Sequence, residues 1–361
     1  MAAFAYYRLP YKQDFTFIRQ EDEPEELHSV EELNGKSGFV FAPFVPSNDC
    51  PILLMHPDTM ATHYSEWGNS LSKCTLMPDN SLNPKSSSLE KSIYANDFNC
   101  FHEHIKQGKF QKLVLARHEE IRTNTVQAEE LFKKACEMYP RLFIALVSTP
   151  QSGTWLMATP EILLSGNRQE MGTMALAGTQ TAPPSATISD VQQEGVKWSK
   201  KNLEEQQYVA DYIEDVITSF SDSCSKKGPY TTMAAQLYHL RTDFHFRLTD
   251  TEHLGDVLDQ LYPTPAVCGM PKEAARRFII HKESIDRKYY SGFVGSLQPH
   301  GETQLYVSLR CMNIHEDGIC ELYAGGGLLE ESELQKEWDE TEAKLATMKA
   351  VIQSFTSLTS L

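Results

Sequence analysis

Several chemistries are missing from this sequence before any residue is given a role. Its eight cysteines form no CxxC pair and no His/Cys ligand spacing, which excludes zinc-ribbon and thioredoxin-like readings. No apolar run approaches the roughly 20 residues that cross a bilayer, and the N-terminus lacks a basic stretch followed by an apolar segment. Neither GxGxxG nor GxxxxGK(S/T) occurs, so a nucleotide-binding fold is excluded although Gly325-Gly326-Gly327 follows a strand-like run. There is no internal repeat. Positive charge is scarce: 33 Lys and Arg face 49 Asp and Glu, giving a net charge of -16 with the cations scattered. Such a surface repels polyanions, which removes nucleic acid and anionic membranes as partners. A cytoplasmic enzyme or binding protein with reduced thiols and a small-molecule partner is the default; an anionic ligand would need local positive charge or a metal.

What is present suits a large core. With 361 residues and 41% hydrophobic content, the chain can fill one big domain or two ordinary ones. Short strands are predicted at Phe4–Leu9, Gly38–Pro43 and Ile52–Met55, and Met77–Lys91 is the most loop-like stretch. Helices are expected at Tyr94–Gln107, Ala128–Tyr139, about Ser199–Phe220, from Pro271, and at the C-terminus. Strands are expected at Lys112–Arg117, Phe143–Ser148, Thr154–Ala158, Ile162–Ser165, Ser291–Gln298, Thr303–Met312 and Cys320–Ala324. Strands come in runs and helices are few and long, so the class is α+β with antiparallel sheet.

Two helices carry charges where apolar residues belong. At about 100° per residue, Glu337, Glu340 and Lys344 share one face, and Met348 and Val351 extend that face as an apolar stripe. Either the first turn is frayed into water, or these charges meet partners, a cation or a site. In the middle helix Glu205 points the same way as Val209, Tyr212 and Val216, whereas Glu204 and Asp215 point aside. Inward carboxylates on two helices suit a hard divalent cation, Mg²⁺ foremost; pairing of Glu205 with a buried Arg or Lys fits equally well. The three glycines would let backbone amides approach an anionic group. Lys112 and Glu161 flank apolar strands and on composition alone are edge-strand charges. His239, His245 and His281 are scattered and read as satisfied histidines.

A series of segments carries a resemblance. KLVLAR at 112–117, TPEILL at 159–164, LAGT at 176–179, PTPAVCG at 263–269, ESIDR at 283–287, SLRC at 308–311, YAGGG at 323–327 and EWDETEAK at 337–344 resemble the ordered motifs of the chorismate-binding enzymes. The resemblance spans roughly residues 93–350, and PTPAVCG is similar to the segment of the isochorismate synthases. It implies a single large domain of two packed, mostly antiparallel sheets with outer helices. Residues 1–90 would complete the sheets and residues 91–361 would form the catalytic region.

The resemblance also implies roles. Lys112 would activate water as general base and Glu161 would protonate the leaving hydroxyl. Glu205 and Glu340 would ligate Mg²⁺, Glu337 would support it through water, and Glu283 would be a further carboxylate nearby. Arg310 and Lys344 would meet the substrate carboxylates, with Gly178, Thr179 and Gly325 beside them and the small Ala266 next to the ring. Moving a hydroxyl across a diene needs a base and an acid at opposite ends, which implies a closed, desolvated pocket. The implied activity is Mg²⁺-dependent conversion of chorismate to isochorismate, for menaquinone or a catechol siderophore, with no obligatory protein partner. Salicylate synthesis, amination of chorismate and non-catalytic binding are the rival readings. Two departures stand out: Tyr262 replaces the usual histidine before PTPAV, and Asn202-Leu203 replaces Asp-Arg ahead of Glu205.

Overall fold

Strands that are apolar at every position need cover on both faces, and two sheets with helices outside them supply it. The computed structural model describes residues 2–64, 84–123, 127–183 and 195–356. In the strand Phe143–Thr149, Phe143, Ala145 and Val147 face a core shared with Phe39, Phe41, Leu53, Met55 and Trp155. The alternate residues Ile144 and Leu146 face a second core with Leu131, Phe132, Leu345, Met348 and Val351. Gly38–Ala42 and Ile52–Met55 divide in the same way, since Val40 and Leu54 join a third cluster with Val209, Ile213 and Ile217. The architecture is therefore α+β in four layers: helices, sheet, sheet, helices.

In hydrogen-bonded order the first sheet runs Gly269–Met270, Lys112–Arg122, Ile319–Leu328, Cys311–Ile314, Gly153–Thr159, Phe143–Thr149, Ala3–Arg8, Asp14–Gln20 and Thr59–Tyr64. The second runs Ser221–Ala234, Leu237–Leu248, Met171–Thr181, Ile162–Gly166, Thr303–Val307, Phe293–Leu297, Gly38–Ala42, Ile52–Met55 and Glu25–Leu27. Strands from the first 64 residues thus lie in both sheets. The described helices are α1 (Pro84–Lys106), α2 (Ala128–Met138), α3 (Lys200–Phe220), α4 (Leu254–Leu261), α5 (Lys272–Lys282) and α6 (Leu334–Thr356). Helices α3 and α4 cover the second sheet, while α2 and α6 cover the first. No described helix is long and apolar enough to cross a membrane, and the described cysteines are free thiols.

Three expectations need correction. The loop-like stretch is helical from Pro84, a favoured first helical position, and its remainder, residues 77–83, lies outside the described residues. The expected strand Thr303–Met312 is two strands in different sheets, broken at Arg310, whose φ is +47°. The long hairpin Ser221–Ala234/Leu237–Leu248 had no strand assignment, because its outer strand is an exposed sheet edge rich in Ser and Lys and containing Gly228-Pro229.

The inter-sheet core centres on Trp155, which is fully buried and packs against Phe41, Tyr289 and Tyr323. Its indole N–H donates to the Ser152 carbonyl at 2.9 Å. Trp155→Ala should lower the unfolding free energy by about 3–5 kcal/mol, the usual cost of such a truncation, read as a shift in denaturant midpoint. A change below about 1 kcal/mol, the level of a surface substitution, would show that the two sheets do not depend on this contact.

Candidate functional site

Two neighbouring corners where the chain crosses between the sheets set up the site. Glu161 lies between Gly153–Thr159 of the first sheet and Ile162–Gly166 of the second. Arg310 lies between Thr303–Val307 of the second and Cys311–Ile314 of the first. The corners are tied to each other: Val307 N–H donates to the Glu161 carbonyl at 3.0 Å and Ala158 N–H to the Arg310 carbonyl at 3.1 Å. Both side chains line one cavity of about 60 Å³, together with Gly178, Thr179, Glu205, Ala266, Gly325 and Lys344. A much larger groove lies elsewhere, along Phe4, Phe17, Ser148 and Asp286, and holds none of these groups.

Helices α3 and α6 bring their carboxylates to the strand Ile319–Leu328 at its three glycines. A Cβ on Gly327 would sit 2.1 Å from Glu205 Oε1, so only glycine fits there. A Cβ on Gly326 would come within 3.4 Å of Glu340 Oε1 and 3.5 Å of Glu337 Oε2. The glycines therefore admit carboxylates to the strand. At Gly325 it is the carbonyl that is engaged, by Lys344 Nζ at 2.8 Å.

Each of the three carboxylates has its own lysine. Lys112 Nζ lies 3.0 Å from Glu205 Oε1, off the direction of a hydrogen bond and without exposure to solvent. Lys344 Nζ lies 2.7 Å from Glu340 Oε1, and Lys201 on α3 is in close contact with Glu337 Oε1. Burial works against ionising Glu205, yet Lys112, Lys201 and Lys344 together hold it below the usual carboxylate range. Burial, with Glu340 beside it, pushes Glu337 up to about 7 against the pull of Lys201. Glu161 has less help: burial raises it to about 8, and Lys112 and Lys344 offset only part of that. Both sequence alternatives for Glu205 thus meet here, a buried lysine partner and a set of hard oxygen donors. Among the described residues no three His, Cys, Asp or Glu side chains form a ready metal cluster, since each carboxylate is drawn to its lysine. The donor set still fits a hard cation: all donors are oxygens, and Glu337 Oε2 is buried without a hydrogen-bond partner.

Gly178 sits at a bulge between Ala177 and Thr179 with φ +68°, a conformation glycine accepts without strain. The bulge frees Ala177 N–H, which donates to Gln206 Oε1 at 2.9 Å, while the Gln206 amide donates to Ala175 O and Thr242 Oγ1. One buried glutamine therefore fixes α3, and with it Glu205, against the LAGT strand. Asn202 packs its Cβ against Gly178, whereas Leu203 is 48% exposed, so one of the two departures near Glu205 touches the site and the other faces solvent.

His239 is a site residue that the sequence reading missed. It lines the cavity and is the cross-strand partner of Thr179. Its Nε2 faces Arg310 Nη2 at 2.9 Å, and guanidinium can only donate, so Nε2 accepts and Nδ1–H donates to Gly178 O at 3.1 Å. Burial, then Arg310 and Lys344, hold His239 well below its ordinary range and keep it neutral. Arg310 is itself lowered to about 10 by burial and donates to Thr347 Oγ1 at 3.1 Å. Only the cross-strand register with Thr179 could have revealed this histidine.

Two residues singled out in the sequence lie outside the cavity lining. Glu283 is absent from the cavity lining; it accepts from Ala116 N–H at 2.7 Å, from Arg287 Nε at 2.6 Å and from Arg287 Nη2 at 2.7 Å. Arg287 in turn donates to Val114 O and Val267 O, clasping the KLVLAR strand to the PTPAVCG loop. Tyr262 points away from the cavity, with its hydroxyl 2.9–3.0 Å from the carbonyls of Pro43, Phe44 and Ser291. It ties the loop to the neighbouring backbone, so it is not a substrate contact.

Comparison with known proteins bears on the family and the fold. The isochorismate synthase EntC of Escherichia coli is 28% identical over 66% of this chain, and the match spans 61% of that protein, under two thirds of its length. The vibriobactin-specific isochorismate synthase of Vibrio cholerae is 26% identical over 86% of this chain and 78% of its own. The solved structure of MenF, the menaquinone-specific isochorismate synthase of E. coli, superposes with a TM-score of 0.78 at 21% identity, covering 97% of this chain and 88% of that one. The chorismate binding enzyme family model matches residues 54–353, and the chain belongs to that family.

Proposed function

We propose that this protein is an isochorismate synthase that converts chorismate to isochorismate with Mg²⁺. The observation that carries the reading is one cavity lined by Glu161, whose carboxyl burial keeps protonated at neutral pH, and by the cations Arg310 and Lys344, with buried Lys112 outside that lining but paired to Glu205, which belongs to it. Lys112, 0% exposed, is assigned the base that takes a proton from the attacking water. Glu161 is assigned the acid that gives a proton to the departing ring hydroxyl; its position near 8 keeps it protonated at neutral pH. The exchange balances: one water is consumed, one is released, and the diene shifts between the two ends. As a base Lys112 would act through its neutral amine, because an ammonium has no lone pair to offer. Arg310 and Lys344 are assigned to the substrate carboxylates, with His239 holding the Arg310 fork and Gly178, Thr179, Gly325 and Ala266 shaping the walls.

Glu205 and Glu340 would hold Mg²⁺ and Glu337 would support it. A bound divalent cation supplies compensating charge for a dicarboxylate in an acidic protein. We further propose that residues 91–361 carry the catalytic machinery while residues 1–90 complete the sheets, and that the protein works in the cytoplasm. No protein partner is proposed to be obligatory. For the pathway we propose menaquinone synthesis, with a catechol siderophore as the alternative that neighbouring genes would reveal.

Lys112→Ala and Glu161→Gln should each lower kcat by at least about 10²-fold, with KM changed far less; a loss confined to KM would make the residue a binding group. An acid is active while protonated, so kcat should fall as pH rises through about 8. A wild-type rate that stays level to pH 9.5 would remove Glu161 from that role.

Chelation should abolish turnover and Mg²⁺ should restore it. Glu340→Gln should need more Mg²⁺ than the wild type, and full activity of that variant at limiting Mg²⁺ would sink the ligand assignment.

The product should be isochorismate with little salicylate or pyruvate at neutral pH. Chromatography of the mixture with a lactate dehydrogenase assay for pyruvate decides this, and stoichiometric pyruvate from the start would mean salicylate synthesis.

A further inference from the structure

The three lysines differ in what else they touch. Lys344 lines the cavity and also holds Gly325 O, and Lys112 and Lys344 both act on Glu161. Lys201 does neither. It is absent from the cavity lining, and Glu337, Glu205 and Glu340 are the carboxylates that act on it. Its place in the first turn of α3 puts it four residues before Glu205, on the same helical face. From there it crosses to α6 and closes on Glu337, a side chain only 2% exposed whose other oxygen has no hydrogen-bond partner.

We infer that Lys201 is a resident counter-cation that sets the affinity of the Glu205–Glu337–Glu340 group for a divalent cation, without taking part in substrate binding or proton transfer. The inference rests on the proposed metal role of those three carboxylates. Three lysines against three carboxylates sum to zero, so a divalent cation entering alone brings two uncompensated positive charges into a poorly solvated site. A dicarboxylate substrate restores neutrality, which makes cation and substrate bind better together than apart. Lys112 and Lys344 can move toward substrate or water. Lys201 stays on the carboxylates and keeps the cation's affinity low until the dianion arrives.

The test is calorimetric titration of the full-length protein with MgCl₂ at pH 8.5 without chorismate, on wild type, Lys201→Met, Lys201→Gln, Lys201→Arg and Glu340→Gln. Removing the charge should tighten Mg²⁺ binding about 10-fold in Lys201→Met and Lys201→Gln, the scale expected for one nearby charge in a partly solvated site. Lys201→Arg should stay close to wild type. The two uncharged variants guard against a single misfolded protein, and circular dichroism checks each. Unchanged or weaker Mg²⁺ binding in both would make Lys201 a structural partner of Glu337 and overturn the proposal. Equal tightening in Lys201→Arg would also overturn it, since charge would then not be the cause. If no protein binds Mg²⁺ even with chorismate added, and Glu340→Gln matches wild type, the metal reading beneath the proposal fails; that pattern is distinct from the others.

Discussion

A buried carboxylate without a partner costs several kcal/mol, and this fold gathers Glu205, Glu337 and Glu340 at one run of glycines. Much else follows from meeting that cost. The helices must begin where a lysine can reach each acid, so Lys201 lies one turn before Glu205 and Lys344 one turn after Glu340. The strand beneath can carry no side chains there, hence Gly325-Gly326-Gly327 in the third strand of the first sheet. Lys112 must sit at the start of an adjacent strand, where it faces Glu205. The segment that resembles a phosphate loop is thus a place where two helices dock carboxylates on a sheet.

The second constraint is topological. A side chain inside one sheet faces either the inter-sheet core or a helix layer, and both are apolar. Polar groups that must meet in a dry cavity therefore gather where strands leave one sheet for the other, as at Glu161 and Arg310. The left-handed conformation of Arg310 belongs to this turn: the corner changes sheets within three residues and leaves the guanidinium between His239 and Thr347. Polar chemistry at sheet crossings is common in layered folds, where catalytic groups favour irregular backbone over regular ladder.

The parts of the site legible in the sequence are those that depend on local periodicity. The inward direction of Glu205, Glu337, Glu340 and Lys344 follows from 100° per residue, and all four reach the glycine strand or the cavity. Glu204, directed aside, pairs with exposed Lys200. Groups set by long-range register were not legible. His239 counts only because it pairs across strands with Thr179 beside a bulge; Arg310 was named by its motif, but the break of an apparently continuous strand that places it was not foreseen. Lys201 gave a signal, its spacing from Glu205, but a lysine in a first helical turn ordinarily faces solvent. Glu283 and Tyr262 hold the frame around the cavity through long-range hydrogen bonds that no local motif displays.

Those two residues show how the frame controls the cavity. Arg287, held by Glu283, takes Val114 O on one side and Val267 O on the other, so the strand bearing Lys112 and the loop bearing Ala266 move as one body. Tyr262 anchors the near end of that loop to three carbonyls. A phenol donates a single proton, so two of those carbonyls gain little from it, and the anchor is weaker than its three close contacts suggest. Under the proposed function, the opening for a dicarboxylate is therefore expected at the charged side, where Lys–Glu pairs would exchange partners with substrate and cation. In the function proposed above, the apolar wall around Ala266 would stay fixed and keep water other than the reacting one from the ring.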